Sequence, residues 1–205
     1  MRNRSFALLI SFILVGQSLY AQFFSVDTAV LNNTYKELMK DPQSMIKQRM
    51  FFDAFPSTWK DFIMTYQFSP NKDYDLSMYN VAEKHINIFG SILMNIPDSI
   101  VALKIIDLSI GGVWEADAPL FLQDVIREYI MQSPMPVFDA LGFYSDGKQL
   151  RFWQFVFTNP VGYDKSREMV LHLADKIDEK KHRKKITIMT TAYDFADGEE
   201  AYDSR

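Results

Sequence analysis

The sequence predicts a mainly α-helical protein in which eight or nine antiparallel helices form a single compact or slightly solenoidal array. Two observations support this prediction. Apolar residues recur at helical spacing along most of the chain, and short breaks containing Pro or Gly separate the periodic segments. Breaks of this length join antiparallel helix pairs. No motif recurs at a fixed period, so the sequence indicates no named class of helical repeat.

Length and composition favour one domain that is stable without cross-links. The chain has 205 residues, of which 48% are hydrophobic and 15% are aromatic. A domain of this length buries about 70% of its unfolded surface, so it does not need disulfides. The chain contains no cysteine, which excludes catalysis by a cysteine thiolate and zinc sites built on cysteine.

The N-terminal residues have the pattern of a secretory signal peptide. Arg2 and Arg4 precede the apolar run Phe6–Val15, and Ala21 offers a small residue at the predicted cleavage site. The run is shorter than the roughly 20 apolar residues that a membrane span needs. An uncleaved N-terminal anchor is the alternative. We therefore expect an exported protein, either periplasmic or extracellular, with no stable membrane span after cleavage.

The predicted division of the chain follows from this cleavage site. We expect a signal peptide over 1–21, a single helical domain over 22–193, and a short acidic flexible tail over 194–205. Cleavage would remove two arginines and no acid, which changes the formal net charge from −4 to −6. Nucleic acid is not an expected partner, because phosphate binding depends on clustered lysine and arginine.

Capping residues and prolines mark the first helices. Asp27 is the predicted N-cap of a helix that ends near Lys40, and Asp41 is predicted to cap a second helix that starts at Pro42. Pro56 ends the second helix, because a proline forces the preceding residue, Phe55, out of helical conformation. Ser57 or Thr58 is the predicted cap of the third helix.

The rest of the chain continues as helices with two ambiguous runs. Ile100–Ile110 is nearly all apolar and reads as a buried helix that Gly111 and Gly112 terminate. The run Leu150–Phe157 is predicted to be a helix, although its aromatic residues also suit a strand. Residues 164–193 are predicted to form a long final helix, in one piece or two, with a late strand at 186–193 as the alternative.

The aromatic stretch Met50–Phe68 is the densest apolar segment of the chain. Trp59, Phe62 and Tyr66 recur at helical spacing after Pro56, which favours a helix–turn–helix corner of the core over a ligand site. Any aromatic surface that this corner leaves uncovered is our predicted binding surface for a protein partner. The candidate binding residues are Phe51, Phe55, Trp59, Phe68 and Trp114.

Carboxylates near these aromatics suggest an alternative function. A glycosidase-like hydrolase needs two acids that converge in a cleft, and acids flank the aromatic segments as two pairs. The candidate catalytic residues are Asp53, Asp61, Glu115 and Asp117. Each acid also suits a structural role as a helix cap, and we predict no other catalytic residue.

The histidines and the basic run carry no recognisable motif. His85, His172 and His182 do not form an HExxH pattern or a pair at i, i+4, so we predict no metal site and no cofactor. His85 is expected on the polar side of its helix. The basic run over 180–185 is expected to form a solvated face with local charge pairs, with an anionic membrane or a partner as the alternative.

Three aromatic segments together resemble a known family. They contain FFxxFP with a later Phe and Tyr, then GxWxADA, then FWxF. The matching residues are Phe51, Phe52, Phe55, Pro56, Phe62, Tyr66, Gly112, Trp114, Ala116, Asp117, Ala118, Phe152, Trp153 and Phe155. The chain is similar in these segments to a family of small exported proteins of Gram-negative gut and oral bacteria that has no assigned function. It differs at Trp59, where that family has Phe.

The resemblance implies a shared helical fold and little about activity. Members are similar to immunity proteins that protect a cell against antibacterial toxins delivered to its periplasm. No catalytic residue transfers, because the matching positions are aromatic, small or capping residues. We therefore expect an exported protein-binding domain, with toxin immunity as its specific form and a carboxylate-dependent hydrolase as the alternative. A structural protein of the cell envelope is a third hypothesis.

Overall fold

The computed structural model describes residues 26–67, 78–113, 117–158 and 163–203. These residues form ten α-helices and contain no strand, which confirms the predicted mainly α class. The helices are α1 (Thr28–Lys40), α2 (Met45–Ala54), α3 (Trp59–Tyr66), α4 (Ala82–Ile92), α5 (Asp98–Ser109), α6 (Ala118–Gln132), α7 (Pro134–Ala140), α8 (Asp146–Phe157), α9 (Tyr163–Lys176) and α10 (Glu179–Asp203). Short 3-10 turns flank α4 on both sides, over Tyr79–Val81 and Leu93–Asn95, and a third follows α7 over Leu141–Phe143.

The count reaches ten because the predicted final helix is two helices. Helix α9 ends at Lys176, and α10 begins at Glu179. The carboxylate of Asp178 accepts hydrogen bonds from the backbone N–H groups of Lys180, at 2.9 Å, and Lys181, at 3.3 Å. Asp178 therefore caps a new helix. Helix α10 extends to Asp203, with one departure from helical geometry at His182.

The caps of α1 and α2 correct one prediction. Asp27 caps α1 as predicted, since its carboxylate accepts from the backbone N–H groups of Ala29 and Val30 at 2.9 and 3.0 Å. The prediction that Asp41 caps the second helix was wrong. Asp41 instead ends α1, its backbone N–H bonding to the carbonyl of Leu38. Ser44 caps α2, which begins three residues later than predicted.

The corner between α2 and α3 forms as predicted. Phe55 has an extended backbone, with φ −66° and ψ 143°, directly before Pro56. The hydroxyl of Thr58 accepts from the backbone N–H of Asp61 at 3.2 Å and caps α3. Phe62 and Tyr66 then point into the core with no more than 1% of their surface exposed.

Helix α5 is the centre of the array. It packs against α3, α7 and α8, and its apolar side chains are buried on more than one side. These buried side chains are Val101, Ala102, Ile105, Ile106 and Leu108. A helix that is apolar around most of its circumference must lie inside the protein, which explains the uninterrupted apolar run in the sequence.

Two glycines allow close approaches between helices, and a third adopts a left-handed backbone conformation. Gly111 has a φ of +86° and lies in a turn closed by the bond from the N–H of Gly112 to the carbonyl of Ser109. A Cβ on Gly112 would lie 2.4 Å from the ring of Phe155 in α8. A Cβ on Gly90 would lie 2.8 Å from Val125, a side chain of α6.

The last helix, α10, covers α8. Both runs for which a strand was the alternative, Leu150–Phe157 and residues 186–193, are helical. Met189 and Ala192 of α10 are fully buried, as are Phe152 and Trp153 of α8. The backbone of α10 departs from helical geometry at His182, where φ is −119° and ψ is 15°.

Candidate functional site

Two predicted binding residues belong to the core. Phe51 is 0% exposed and Phe55 is 1% exposed. The ring of Phe55 stacks on Phe89 with centroids 4.1 Å apart, and the ring of Phe51 lies beside Tyr35 at 5.9 Å. These two residues therefore offer no surface to a partner, and the prediction that they form a binding surface was wrong for them.

Trp59 occupies an intermediate position. It is half-buried, and its ring lies 5.2 Å from that of Phe155 in α8 and 5.7 Å from that of Phe62. Trp59 thus joins the α2–α3 corner to α8 with one edge accessible. The other two predicted aromatics, Phe68 and Trp114, lie outside the described residues.

The described acids of the predicted hydrolase each bond to a near neighbour. Asp53 accepts two bonds from Nε of Arg49, at 2.8 and 2.9 Å. Asp61 accepts from the hydroxyl of Thr58 at 2.7 Å.

Asp117 accepts from the hydroxyl of Tyr79 at 2.6 Å. Its backbone is strained, with φ 69° and ψ −118°, and its side chain makes no capping bond to α6. Glu115 lies outside the described residues. None of the three described acids lines either of the two clefts described below.

His85 is buried, which corrects the prediction that it lies on a polar surface. Its side chain is 0% exposed and packs among the rings of Tyr35 and Phe51. Its Nδ1 lies 3.1 Å from the hydroxyl of Tyr66. Burial lowers the pKa of His85 to about 4, so the ring is neutral at pH 7.

Lys104 is a second buried polar residue that the sequence did not reveal. Its Nζ donates to the backbone carbonyls of Phe52 at 2.6 Å and Phe55 at 2.7 Å, and it reaches the hydroxyl of Ser57 at 3.3 Å. These carbonyls are the unpaired groups at the carboxyl end of α2. Burial lowers the pKa of Lys104 to about 8.

The outer side of α2 is an exposed apolar face. Met45, Ile46 and Met50 are exposed by 55%, 74% and 51%. At about 100° per residue they lie within an arc of about 140° that also contains Arg49 and Asp53. We call these five residues the α2 face. The ion pair of Arg49 and Asp53 therefore lies among exposed apolar side chains.

A polar cleft of about 290 Å³ lies between the start of α8 and the first turns of α10. We call it the α8–α10 cleft. It is lined by Gly142, Tyr144, Asp146, Gln149, Lys181, His182, Lys184 and Lys185. The basic run over 180–185 thus contributes a wall of this cleft as well as a solvated surface. Its ion pairs reach other helices, because Lys181 pairs with Asp139 of α7 and Lys184 with Asp146 of α8, both at 2.8 Å.

A second cleft, of about 370 Å³, lies between α4 and α6 near Gly90 and Val125. Its tyrosine, Tyr129, already donates to the carboxylate of Asp98 at 3.1 Å. None of the residues that line this second cleft has a buried polar atom without a hydrogen-bond partner. The α8–α10 cleft differs in this respect, because buried polar atoms of Gln149 and His182 have no hydrogen-bond partner among the described residues.

The described residues contain neither a membrane-spanning helix nor a cluster of metal ligands. No helix within them is both long and apolar enough to cross a bilayer. They also contain no cluster of three or more His, Asp or Glu side chains that could hold a metal ion.

Comparisons with known proteins add no family to these observations. No protein-family model, no curated protein and no solved structure matches the chain. The motif resemblance noted in the sequence therefore stays a prediction, and the geometry of the α2 face and of the α8–α10 cleft is what supports a function.

Proposed function

We propose that the chain is an exported protein-binding domain that neutralises a protein partner, specifically an antibacterial toxin delivered to the periplasm. The observation that carries this proposal is the α2 face. Exposed methionines and an arginine around an apolar centre are typical of protein interfaces, where Met and Arg are enriched. Flexible methionine side chains also adapt to the shape of a partner.

The position of the α2 face strengthens this inference. Ile46 and Met50 lie one helical turn apart on the side of α2 opposite Phe51 and Phe52, which pack in the core. The core therefore holds the backbone of α2 rigidly while its outer side stays accessible. A rigid helix face costs little conformational entropy when a partner binds.

The described acids support binding over hydrolysis. Asp53 is part of the α2 face and is held by Arg49, while Asp61 and Asp117 are held by Thr58 and Tyr79. A hydrolase needs one protonated and one ionised carboxyl group on either side of a substrate bond. The structure gives no observation that favours this arrangement, so we do not propose it.

Co-expression tests the proposal. Products of the genes adjacent to this one would be expressed in the periplasm of a sensitive host, with and without this protein. We expect one product to be toxic, and we expect this protein to restore growth and to co-purify with it from the periplasmic fraction. If no adjacent product is toxic and none binds, the immunity proposal is wrong.

Matched surface variants locate the binding site. Ile46→Glu places a charge on the α2 face, and Leu171→Glu places one at an exposed apolar position of α9. Both positions are solvent-exposed, so each variant should keep its free energy of unfolding within about 0.5 kcal/mol of the original. We expect Ile46→Glu to lose both protection and partner binding, and Leu171→Glu to keep both. Equal behaviour of the two variants would contradict a role for the α2 face.

A further inference from the structure

The α8–α10 cleft contains a buried acceptor without a donor. The side-chain Nε2 of Gln149 donates to the backbone carbonyl of Tyr144 at 2.9 Å. Because a carbonyl oxygen can only accept, this bond fixes the orientation of the amide. The Oε1 of Gln149 is then buried with no partner among the described residues. A buried acceptor left unpaired costs about 1–3 kcal/mol, so the cleft favours an occupant that donates to it.

His182 adds a second unpaired group to the same cleft. Its side chain is 2% exposed and meets the ring of Phe138 edge-on, with centroids 5.9 Å apart. Its Nε2 lies 3.6 Å from the carboxylate of Asp139, and its Nδ1 has no partner among the described residues. Burial, with help from Lys185 and Lys181, lowers the pKa of His182. The neutral ring therefore keeps one lone pair that can accept a hydrogen bond.

The charged groups that line the cleft include three lysines, Lys181, Lys184 and Lys185. Lys181 and Lys184 are paired with Asp139 and Asp146 at 2.8 Å. Lys185 donates to the backbone carbonyl of Phe138 and forms no ion pair within the described part of the chain. The carboxylates of Asp139 and Asp178 both act on His182, so the charges around the cleft are close to balanced and favour an anion of low charge. The ammonium of Lys185 retains hydrogens for a further acceptor.

We propose that the α8–α10 cleft binds a phosphate group that keeps one of its protons. The oxygens of such a group accept from Lys185, and its P–OH group donates to Oε1 of Gln149 or Nδ1 of His182. Lysine is a common phosphate ligand. Sulfate, which is a dianion, and carboxylate ions carry no O–H group at neutral pH, so they leave both acceptors unpaired. This site is separate from the α2 face and does not depend on the proposed partner.

The volume and position of the cleft suit a small ligand. About 290 Å³ is enough for inorganic phosphate or for the phosphate end of a small monoester. A Cβ on Gly142 would lie 3.2 Å from Nζ of Lys185. The absence of a side chain at Gly142 therefore lets the ammonium of Lys185 lie directly against the backbone there.

Titration of the full chain with phosphate and with sulfate tests the proposal without any substitution. Calorimetry at about pH 6, where phosphate groups are still partly protonated, should show saturable binding of phosphate. We expect sulfate to bind about tenfold more weakly, because it cannot donate a hydrogen bond to the buried acceptor that the P–OH group of phosphate pairs. The imidazole resonances of His182 should shift with phosphate over the same concentration range. Glycerol phosphate in a third titration distinguishes a monoester from inorganic phosphate as the ligand.

Variants with matched controls place the ligand in the cleft. Gln149→Met removes one of the two acceptors and should narrow the difference between the affinities for phosphate and sulfate. Gly142→Ala keeps every charge and should weaken phosphate binding about tenfold by displacing the ammonium of Lys185. Lys180→Gln removes an exposed charge of the same basic run that does not line the cleft. This control should bind phosphate as the original protein does.

Two results would overturn the proposal. The first is the absence of saturable phosphate binding to the unsubstituted protein, which would mean that water fills the cleft. The second is equal weakening by Lys180→Gln and Gly142→Ala, which would mean that phosphate binds the basic surface non-specifically. Circular dichroism of each variant confirms that the helices are intact, and the comparison of phosphate with sulfate on the original protein stands even if a variant fails to fold.

Discussion

The ammonium of Lys104 closes the carboxyl end of α2, with its Nζ 2.6 Å from the carbonyl oxygen of Phe52. The same Nζ lies 4.7 Å from the centroid of the Phe52 ring, within the range of a cation–π contact. Helix α5 thereby holds the point where the chain bends into Pro56. The bend and the central helix are joined by one side chain.

Replacing Lys104 with an apolar residue should destabilise the protein. Lys104→Met keeps the length of the side chain but leaves the carbonyls of Phe52 and Phe55 without their donor. Each buried unpaired group costs about 1–3 kcal/mol, so we expect a loss of about 2–4 kcal/mol in urea denaturation at pH 7. The exposed control Lys36→Met should change by less than about 0.5 kcal/mol. Similar losses in the two variants would contradict the capping role.

The stabilising effect of Lys104 should increase in alkaline solution. Burial lowers its pKa from 10.5 to about 8, so between these values the folded state binds fewer protons than the unfolded state. Stability then rises with pH across this window, because the neutral amine can still donate to both carbonyls. We expect the difference in free energy of unfolding between the original protein and Lys104→Met to grow from pH 8 to pH 10. A difference that falls with pH would show that the folded state favours the charged form.

Acid should weaken the fold through His85. Burial lowers the pKa of His85 from 6.5 to about 4, so the folded state binds fewer protons than the unfolded state between these values. The contribution of His85 to the free energy of unfolding is therefore lost as the pH falls from 6.5 to about 4. This loss is up to about 3 kcal/mol, at 1.36 kcal/mol per pKa unit.

A double substitution isolates this contribution. His85→Phe with Tyr66→Phe removes the titrating ring and its hydroxyl partner together, and the free energy of unfolding is then compared with that of the original protein at pH 7 and pH 4.5. We expect the original protein to lose more stability on acidification than the double variant. Equal losses would mean that other groups cause the acid sensitivity.

Three glycine substitutions should separate steric from conformational effects. Gly112→Ala forces a methyl group to 2.4 Å from the buried ring of Phe155, and overpacking of this kind costs about 1–3 kcal/mol. Gly111→Ala meets no atom within 4 Å but keeps a φ of +86°, which costs about 1 kcal/mol. Gly147→Ala has open space and no positive φ. In thermal denaturation, Gly112→Ala should have the lowest midpoint temperature of the three variants. The midpoint of Gly147→Ala should be no lower than that of the original protein.

The backbone at Asp117 supplies a further test of conformational strain. Asp117 has a φ of 69° and a ψ of −118°, a conformation that glycine adopts without strain. Asp117→Gly and Asp117→Ala both lose the bond from Tyr79, but only the glycine variant relieves the backbone. We expect the glycine variant to be the more stable of the two by about 1 kcal/mol in urea denaturation. Equal stability would mean that the strain is not present in solution.

Local chemistry made much of the fold predictable from sequence. Asp27 and Thr58 cap helices as expected, and Phe55 is extended because a proline follows it. These features depend on a few consecutive residues. The cap at Asp41 was misassigned because Ser44, three residues later, also suits an N-cap, and only the ladder of backbone bonds decides between them.

Buried polar residues could not be predicted, because their partners are distant in sequence. Lys104 bonds to residues 49 and 52 positions away, and His85 to a residue 19 positions away. His182 belongs to a run of six residues, five of them Lys or Arg, that reads as solvated surface. Its side chain is nevertheless 2% exposed, and its backbone departs from helical geometry. Periodicity alone does not show whether Phe51 and Phe55 are buried or exposed. The ring of Phe89, which is distant in sequence, covers Phe55 in the folded structure.

The α8–α10 cleft has one wall from residues 142–149 and the other from residues 181–185. Any partly unfolded state in which α10 has left α8 therefore has no cleft. A ligand that binds only the assembled site stabilises the docked helix by mass action. Amide hydrogens of α8 and α10 should then exchange more slowly with ligand present, while those of α1 and α2 exchange at unchanged rates. A bound ligand would thus stabilise the packing of α10 against α8.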